Sequence, residues 1–428
     1  MSTTSLFAVG LSGLAAQASS LEAISNNIAN SQTVGFRRSR TDFSDLVARE
    51  TRSTSDPVSQ GASASTRRIF DDQGFISRTG EAGHLAIAGD GFFVVRDNNA
   101  ANADAQTLVT RAGDFTLDSD GNLVNSGGHF LQALRIGAGG PSDNVTSLNS
   151  LETVNLAAVT SPALATSQLS LQANLSSTAA LSIDPLQYQS SDPANNIAGG
   201  SIAADILQNF TVFDAEGQTR TLSLAFVRTG TNSAAVELFD ASDVSGLPIA
   251  SGSVQFGADG AIDLAASNFP QSISLEGAQG TQSLAIDLSQ LSNRNSASTI
   301  LNASNDGNIA GTLSGFTVND SGTLTARFTN GTSRDLYQIP LALFTNNEGL
   351  LDAGNTAFQF DPAAGQLSLS VAGLNNAGFI ESEGLETSTV DISQEFGALI
   401  ETQRAYSANA RIISVVDELL QTLNDTAA

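Results

Sequence analysis

No cysteine occurs among the 428 residues, so disulfides and thiolate metal sites are excluded. Lysine is equally absent, and all 18 basic residues are arginine. Histidine occurs twice, as His84 and His129, in no ligand-spaced cluster. With no G-x-S-x-G elbow present either, a Ser-His-Asp site has nothing to be built from. No stretch approaches about 18 consecutive apolar residues, so neither a membrane-spanning helix nor membrane insertion is expected. No Arg precedes Arg37, so the basic start of a cleaved secretory signal is missing. The chain is expected to stay inside the cell or to leave by a route that keeps its N-terminus. Proline is absent from both ends: all nine prolines lie between Pro57 and Pro362.

Positive charge is scarce. The formal net charge is −25, unevenly spread. Residues 1–135 hold 11 Arg against 14 Asp and Glu, leaving 7 against 29 in the remainder. Such a surface repels polyanions, and no nucleic-acid role is expected.

The two proline-free ends both carry helical periodicity. Phe7, Leu11, Leu14, Ala18, Leu21, Ile24 and Ile28 recur at steps of three and four. Near the C-terminus Ile392, Phe396, Leu399, Gln403, Tyr406, Ala410, Ile413, Val416, Leu420 and Leu423 do the same. Such steps keep one stripe on one helix face and resemble a coiled-coil seam. These helices could pack on a globular body, but so long a seam asks for another helix.

Between the helices the texture is turn-rich β. Asn and Gly at Asn26, Asn27, Asn30 and Gly35 end the first helix, and Gly35 suits a turn with φ > 0. The polar run from Asp42 to Arg68 reads as an extended connector. Leu85–Ala88 and Phe92–Val95, joined by Gly89-Asp90-Gly91, predict a hairpin, as do Phe115–Leu117 and Asn122–Val124 around Asp118–Gly121. Phe210–Phe213 and Thr221–Phe226 around Asp214–Gly217 predict another, in an Arg-poor stretch that reads as an inserted sandwich or barrel.

The expected fold is mainly β with long α-helical termini, nested. Residues 1–30 and 386–428 form a terminal helical core whose N- and C-terminal helices pair like a coiled coil, and 31–69 a connector. Residues 70–142 and 305–385 form a discontinuous β-domain, and 143–304 an inserted outer β-domain. No enzyme signature survives inspection. Asp118-Ser119-Asp120-Gly121 resembles the start of a calcium loop, but the twelfth position is His129 rather than Glu. Gly89-Asp90-Gly91 lacks a third glycine and a following helix. Asp71-Asp72 is one acidic pair in an acid-rich chain. No catalytic residue, cofactor or metal is expected.

The run Ser25-Asn26-Asn27-Ile28-Ala29-Asn30-Ser31-Gln32-Thr33-Val34-Gly35-Phe36-Arg37 resembles the N-terminal signature of bacterial flagellar rod and hook axial proteins. Leu85–Val94, Thr110–Phe115, Asp120–Val124, Phe344–Leu350, Gly384–Glu386, Val390–Ile392, Gln403–Tyr406 and Val416–Asn424 resemble its further blocks, in order. The long middle, with Val212–Leu222, is similar to hook rather than rod members. One departure is Thr389, where the family has Asn in Ser-Asn-Val-Asp-Leu; its hydroxyl could still cap a helix.

The resemblance implies a structural polymer of the flagellum: a short curved tube outside the cell that acts as a universal joint, passing motor torque to the filament. It implies partners in itself, the distal rod, hook cap, hook–filament junction and hook-length control proteins, and the flagellar type III export apparatus. It also implies export without a cleaved signal. The polymerisation surface is expected at Phe7, Leu11, Leu14, Leu21, Ile24, Ile28, Ile392, Phe396, Leu399, Tyr406, Ile413, Val416, Leu420 and Leu423. The motif residues are Asn26, Asn27, Ile28, Asn30, Gly35 and Phe36. Because lone helices are marginal in water, the ends are expected to order as they assemble. A distal rod subunit, or a secreted β-rich hydrolase or adhesin, remain the alternatives.

Overall fold

The computed structural model describes residues 3–48, 58–97, 106–137, 147–157, 159–178, 181, 187–277 and 280–427. Among the described residues, helix α1 (Thr3–Ala29) comes first and helix α2 (Ile392–Ala427) last, and the regular structure between is β apart from three short 3-10 turns. Asn30 closes α1, its amide and its side chain both donating to Asn26 O. Asp391 starts α2, its carboxylate accepting from the amides of Ser393 (2.8 Å) and Gln394 (3.2 Å).

Two compact units emerge. The first comprises residues 1–159, 314–327 and 333–428; the second comprises 160–313 and 328–332. The expected divisions fell at 142/143 and 304/305. Residues 147–159 stay with the first unit because Glu152–Thr153 pairs with Phe130–Arg135 and Leu151 enters the first unit's core.

In the first unit, strand β5 (Phe92–Arg96) is the hub. One edge pairs with β6 (Thr107–Thr110), the other with Pro340–Phe344 and then Phe130–Arg135. Alternation sends Phe92 and Val94 into a cluster with Phe70, Val109 and Phe358. Phe93 turns the opposite way, edge-on to Phe115 at 5.7 Å. Both faces are covered, so four consecutive β5 residues are buried.

Two expectations fail here. β4 (Leu85–Ala88) does not hairpin with β5. It pairs with Phe379–Ser382, and Gly89 (φ +105°) and Gly91 (φ +124°) carry the chain from one sheet to another. Gly378 lies so near Gly89 that long-range packing, not the local turn, sets the pairing. The supposed connector also folds back on itself: β1 (Ser39–Ala48) and β2 (Val58–Arg68) form an antiparallel pair against α1. The hairpins at 116–124 and 206–226 form as predicted. At the first, the Asp118 carboxylate accepts from the amides of Asp120 and Asn122, which is turn chemistry.

The second unit is two sheets about one core. Ile206–Phe213, Thr219–Arg228, Ser233–Asp240, Ala250–Phe256 and Ile262–Asp263 pair antiparallel in chain order. The other sheet centres on Gln168–Ser176. Leu169, Leu171 and Leu175 from one meet Phe210, Leu224, Phe226 and Val236 from the other, a sandwich interior.

Candidate assembly surface

The end of α1, the chain leaving it and the chain entering α2 are tied at one buried junction. Asn27, 1 % exposed, donates from Nδ2 to Ser39 O and accepts at Oδ1 from Ser39 N, both at 2.8 Å. A side-chain amide carries its donor and acceptor on separate atoms, which lets it serve both backbone groups of one residue at once. Gly35 follows with φ +67°, its amide donating to Glu386 O at 2.9 Å. Thr389 does not cap α2: its Oγ1 accepts from Arg38 N at 2.9 Å, and its amide donates to Phe36 O at 3.1 Å.

Beneath lies Glu386, fully buried. Its Oε1 takes Arg37 Nη2 and the Gly74 amide, each at 2.9 Å, and its Oε2 faces Arg111 Nη1 at 3.4 Å. Arg37 also donates to Asp72 O, and Arg111 to Gly89 O at 2.8 Å while lying over the Phe92 ring. Two guanidiniums thus share one carboxylate. Burial, and then the like charge of Arg37, pull Arg111 down to about 10; burial lowers Arg37 too, against the pull of Glu386. No local pattern announces this cluster, since Arg111 and Glu386 are 275 residues apart. The only sequence signal was their presence in family blocks.

Above the junction, α1 and α2 lie side by side and antiparallel. A Cβ on Gly10 would sit 3.0 Å from Ile413 Cγ1, and one on Gly13 2.9 Å from Asn409 Nδ2. Further along, Gln17, Ser20, Ala23 and Ile24 share a cleft with Thr402, Ala405, Ala398 and the buried Glu395. The seam is built from small residues, which lets the backbones approach. The other side of α1 meets the hairpin, where Ala62 N donates to Ser12 Oγ at 3.2 Å and Gly61 leaves no room for a Cβ. Phe7–Ala29 is long and apolar enough to cross a bilayer by length and composition, contrary to expectation; here its Gly, Ala and Ser face is occupied by α2.

The predicted stripe therefore divides. Ile24 and Val416 are buried within the single chain, and Leu14, Leu21, Ile28, Leu399 and Ile413 are half-buried. Phe7, Leu11, Ile392, Phe396 and Tyr406 remain exposed, joined by Ile400, Ile412 and Val415, which the stripe omitted. Packing against a small-residue partner rotates the seam of α2 toward Thr402 and Asn409, leaving a second apolar face outside. The side chains of Leu420 and Leu423 lie outside the described residues. Among the motif residues Asn27, Gly35 and Phe36 are buried, Asn30 is half-buried and Asn26 is exposed.

Family profiles match the chain in four places. They are described as Flagella basal body rod protein (residues 7–37), Flagellar hook protein FlgE/F/G D1 domain (86–174), Flagellar basal body protein FlaE D2 domain (174–308) and Flagellar basal body rod FlgEFG protein C-terminal (381–426). Among curated relatives, the chain is 32 % identical to the flagellar hook protein FlgE of Escherichia coli (strain K12), over 97 % of this chain and 98 % of that one. It is 30 % identical to the flagellar hook protein FlgE of Rhizobium meliloti (strain 1021), over 99 % of both. To that of Salmonella typhimurium it is 31 % identical, over 97 % and 98 %.

Proposed function

The chain belongs to the flagellar hook protein family, a structural and not an enzymatic one, and from that premise we propose that it polymerises into the curved tube joining motor to filament. The observation that carries the reading is the outward apolar face of the helix pair, Phe7, Leu11, Phe396, Ile400 and Val415, which a chain standing alone leaves in water. Relatives aligned from end to end carry the hook name, and that favours the hook over the distal rod.

In this reading residues 1–30 and 386–428 pair in coiled-coil fashion as the inner wall of the tube, and 31–69 lead outward. The β-regions 70–142 with 305–385 and the inserted 143–304 make the outer layers. An acidic, aromatic-poor exterior suits surfaces that slide as the tube turns. Phe7, Leu11, Leu14, Leu21, Ile24, Ile28, Ile392, Phe396, Leu399, Tyr406, Ile413, Val416, Leu420 and Leu423 serve the inner wall, and Asn26, Asn27, Asn30, Gly35 and Phe36 its exit. The partners are further copies, the distal rod, hook cap, hook–filament junction and hook-length control proteins, and the flagellar type III export apparatus. The hook stands outside the cell.

Deleting the gene tests this. Basal bodies with a complete rod but no hook and no filament, restored by the full-length chain, are the expected result. Normal hooks in the deletion strain would sink the reading.

A further inference from the structure

The outer face of α2 carries the basic residues of both helices. Arg404 and Arg411 are exposed, and neither has an acidic partner among the described residues. They share that outer face with Ile400, Gln403, Ser407 and Ile412. α1 offers no complement within the pair, since Glu22 is its single charged residue. The complement lies farther along α2 itself. Seven residues beyond Arg411 comes Glu418, exposed, and seven beyond that in the sequence Asp425, whose side chain lies outside the described residues. Steps of seven return to nearly the same helix face, drifting by about 20° each. One edge of α2 therefore reads basic, basic, acidic, acidic at constant spacing, beside the exposed Ile400, Ile412 and Val415.

We propose that this edge sets the register between neighbouring copies: Arg404 and Arg411 of one copy lie against Glu418 and Asp425 of a second, the two α2 helices parallel and offset by 14 residues. At a rise of about 1.5 Å per residue the offset is roughly 21 Å. Charge excludes the smaller offsets, and an offset of 21 would make only one such pair. In register, arginine faces arginine; offset by seven, Arg404 faces Arg411. Offset by 14, each arginine meets a carboxylate. The parallel sense follows from repetition, because copies related by a head-to-tail operator in a tube keep one direction. The inference rests on the polymer reading and adds which strip meets which, and at what axial shift.

The test is charge exchange in the full-length chain, expressed in a strain lacking the gene, counting hooks by electron microscopy and measuring exported monomer. Arg404→Glu with Arg411→Glu should cut hooks per cell by about tenfold or more while exported monomer accumulates, and Glu418→Arg with Asp425→Arg should do the same. Combining all four should restore hooks to within about twofold of wild type. The monomers should melt alike; if reversal unfolds them, Arg404→Gln with Arg411→Gln carries the test, expected to lower hook number by a smaller factor. Reversals that leave hook number unchanged, a four-fold variant that fails to rescue, or a soluble closed dimer would each overturn the register. If the wild-type chain itself restores no hooks, the polymer reading falls instead.

Discussion

Gly35 is pressed against Ala112: a Cβ on Gly35 would fall 2.5 Å from Ala112 N, with φ at +67°. Steric contact and backbone conformation both reserve the position for glycine. Gly35→Val should cost about 1–3 kcal/mol from the backbone conformation alone, with more from displacing Arg111 and Ala112. Thermal denaturation of the monomer measures it, and unchanged melting would show that the turn relaxes freely.

Glu386 neutralises two buried arginines. Glu386→Ala should lower stability by about 3–5 kcal/mol, because the guanidiniums of Arg37 and Arg111 stay buried without the carboxylate they share, leaving only the weaker pull of Asp72 and Asp90. Removing all three charges together as Arg37→Met, Arg111→Met and Glu386→Leu should cost less than the single change. Denaturant midpoints for the two variants decide this, and the opposite order would mean that the cluster is held by packing alone.

Asn27→Asp keeps the acceptor and loses the donor, leaving the part-buried Ser39 O without that partner. The expected loss is about 1–3 kcal/mol, concentrated where β1 begins. Hydrogen exchange should speed up across 39–43 before it does in β5. Uniform acceleration would place the effect elsewhere.

His129 is buried with both ring nitrogens unpartnered. Burial pushes its imidazole below 6.5, partly offset by the Asp97 carboxylate. With the folded value depressed, the unfolded chain binds the proton first. Stability is therefore complete above about 6.5 and falls as pH drops through that value toward the folded one. Denaturation midpoints should decline between pH 7.5 and 5, and His129→Gln should flatten that decline.

The two faces of α2 should respond differently. Phe396→Ser, at an exposed position, should leave monomer stability within about 0.5 kcal/mol yet impair assembly. Ile413→Ala, against Gly10, should cost the monomer about 1–2 kcal/mol, less than in a closed core. Equal effects on the monomer would refute the division.

The sequence by itself determined what depends on short spacing. Steps of three and four made both ends helical, and Asn and Gly after Ile28 closed α1. The Asp-Ala-Glu-Gly turn at 214–217 joined its two strands because a two-residue period on either side left one register. Family blocks identified Asn27 and Gly35 without saying what they touch. Tertiary structure decided what depends on distant partners. β4 pairs with Phe379–Ser382 because Gly378 reaches Gly89, and no local rule contains that contact. The face of α2 that is buried was fixed by Gly10, Gly13 and Ser20 of the other helix. A small-residue partner draws in Asn409 and Thr402 and leaves Phe396 and Ile400 outside, so periodicity alone did not say which side of α2 meets α1. Arg37, Arg111 and Glu386 met only because folding brought three separated segments into one place where an unpaired charge could not remain.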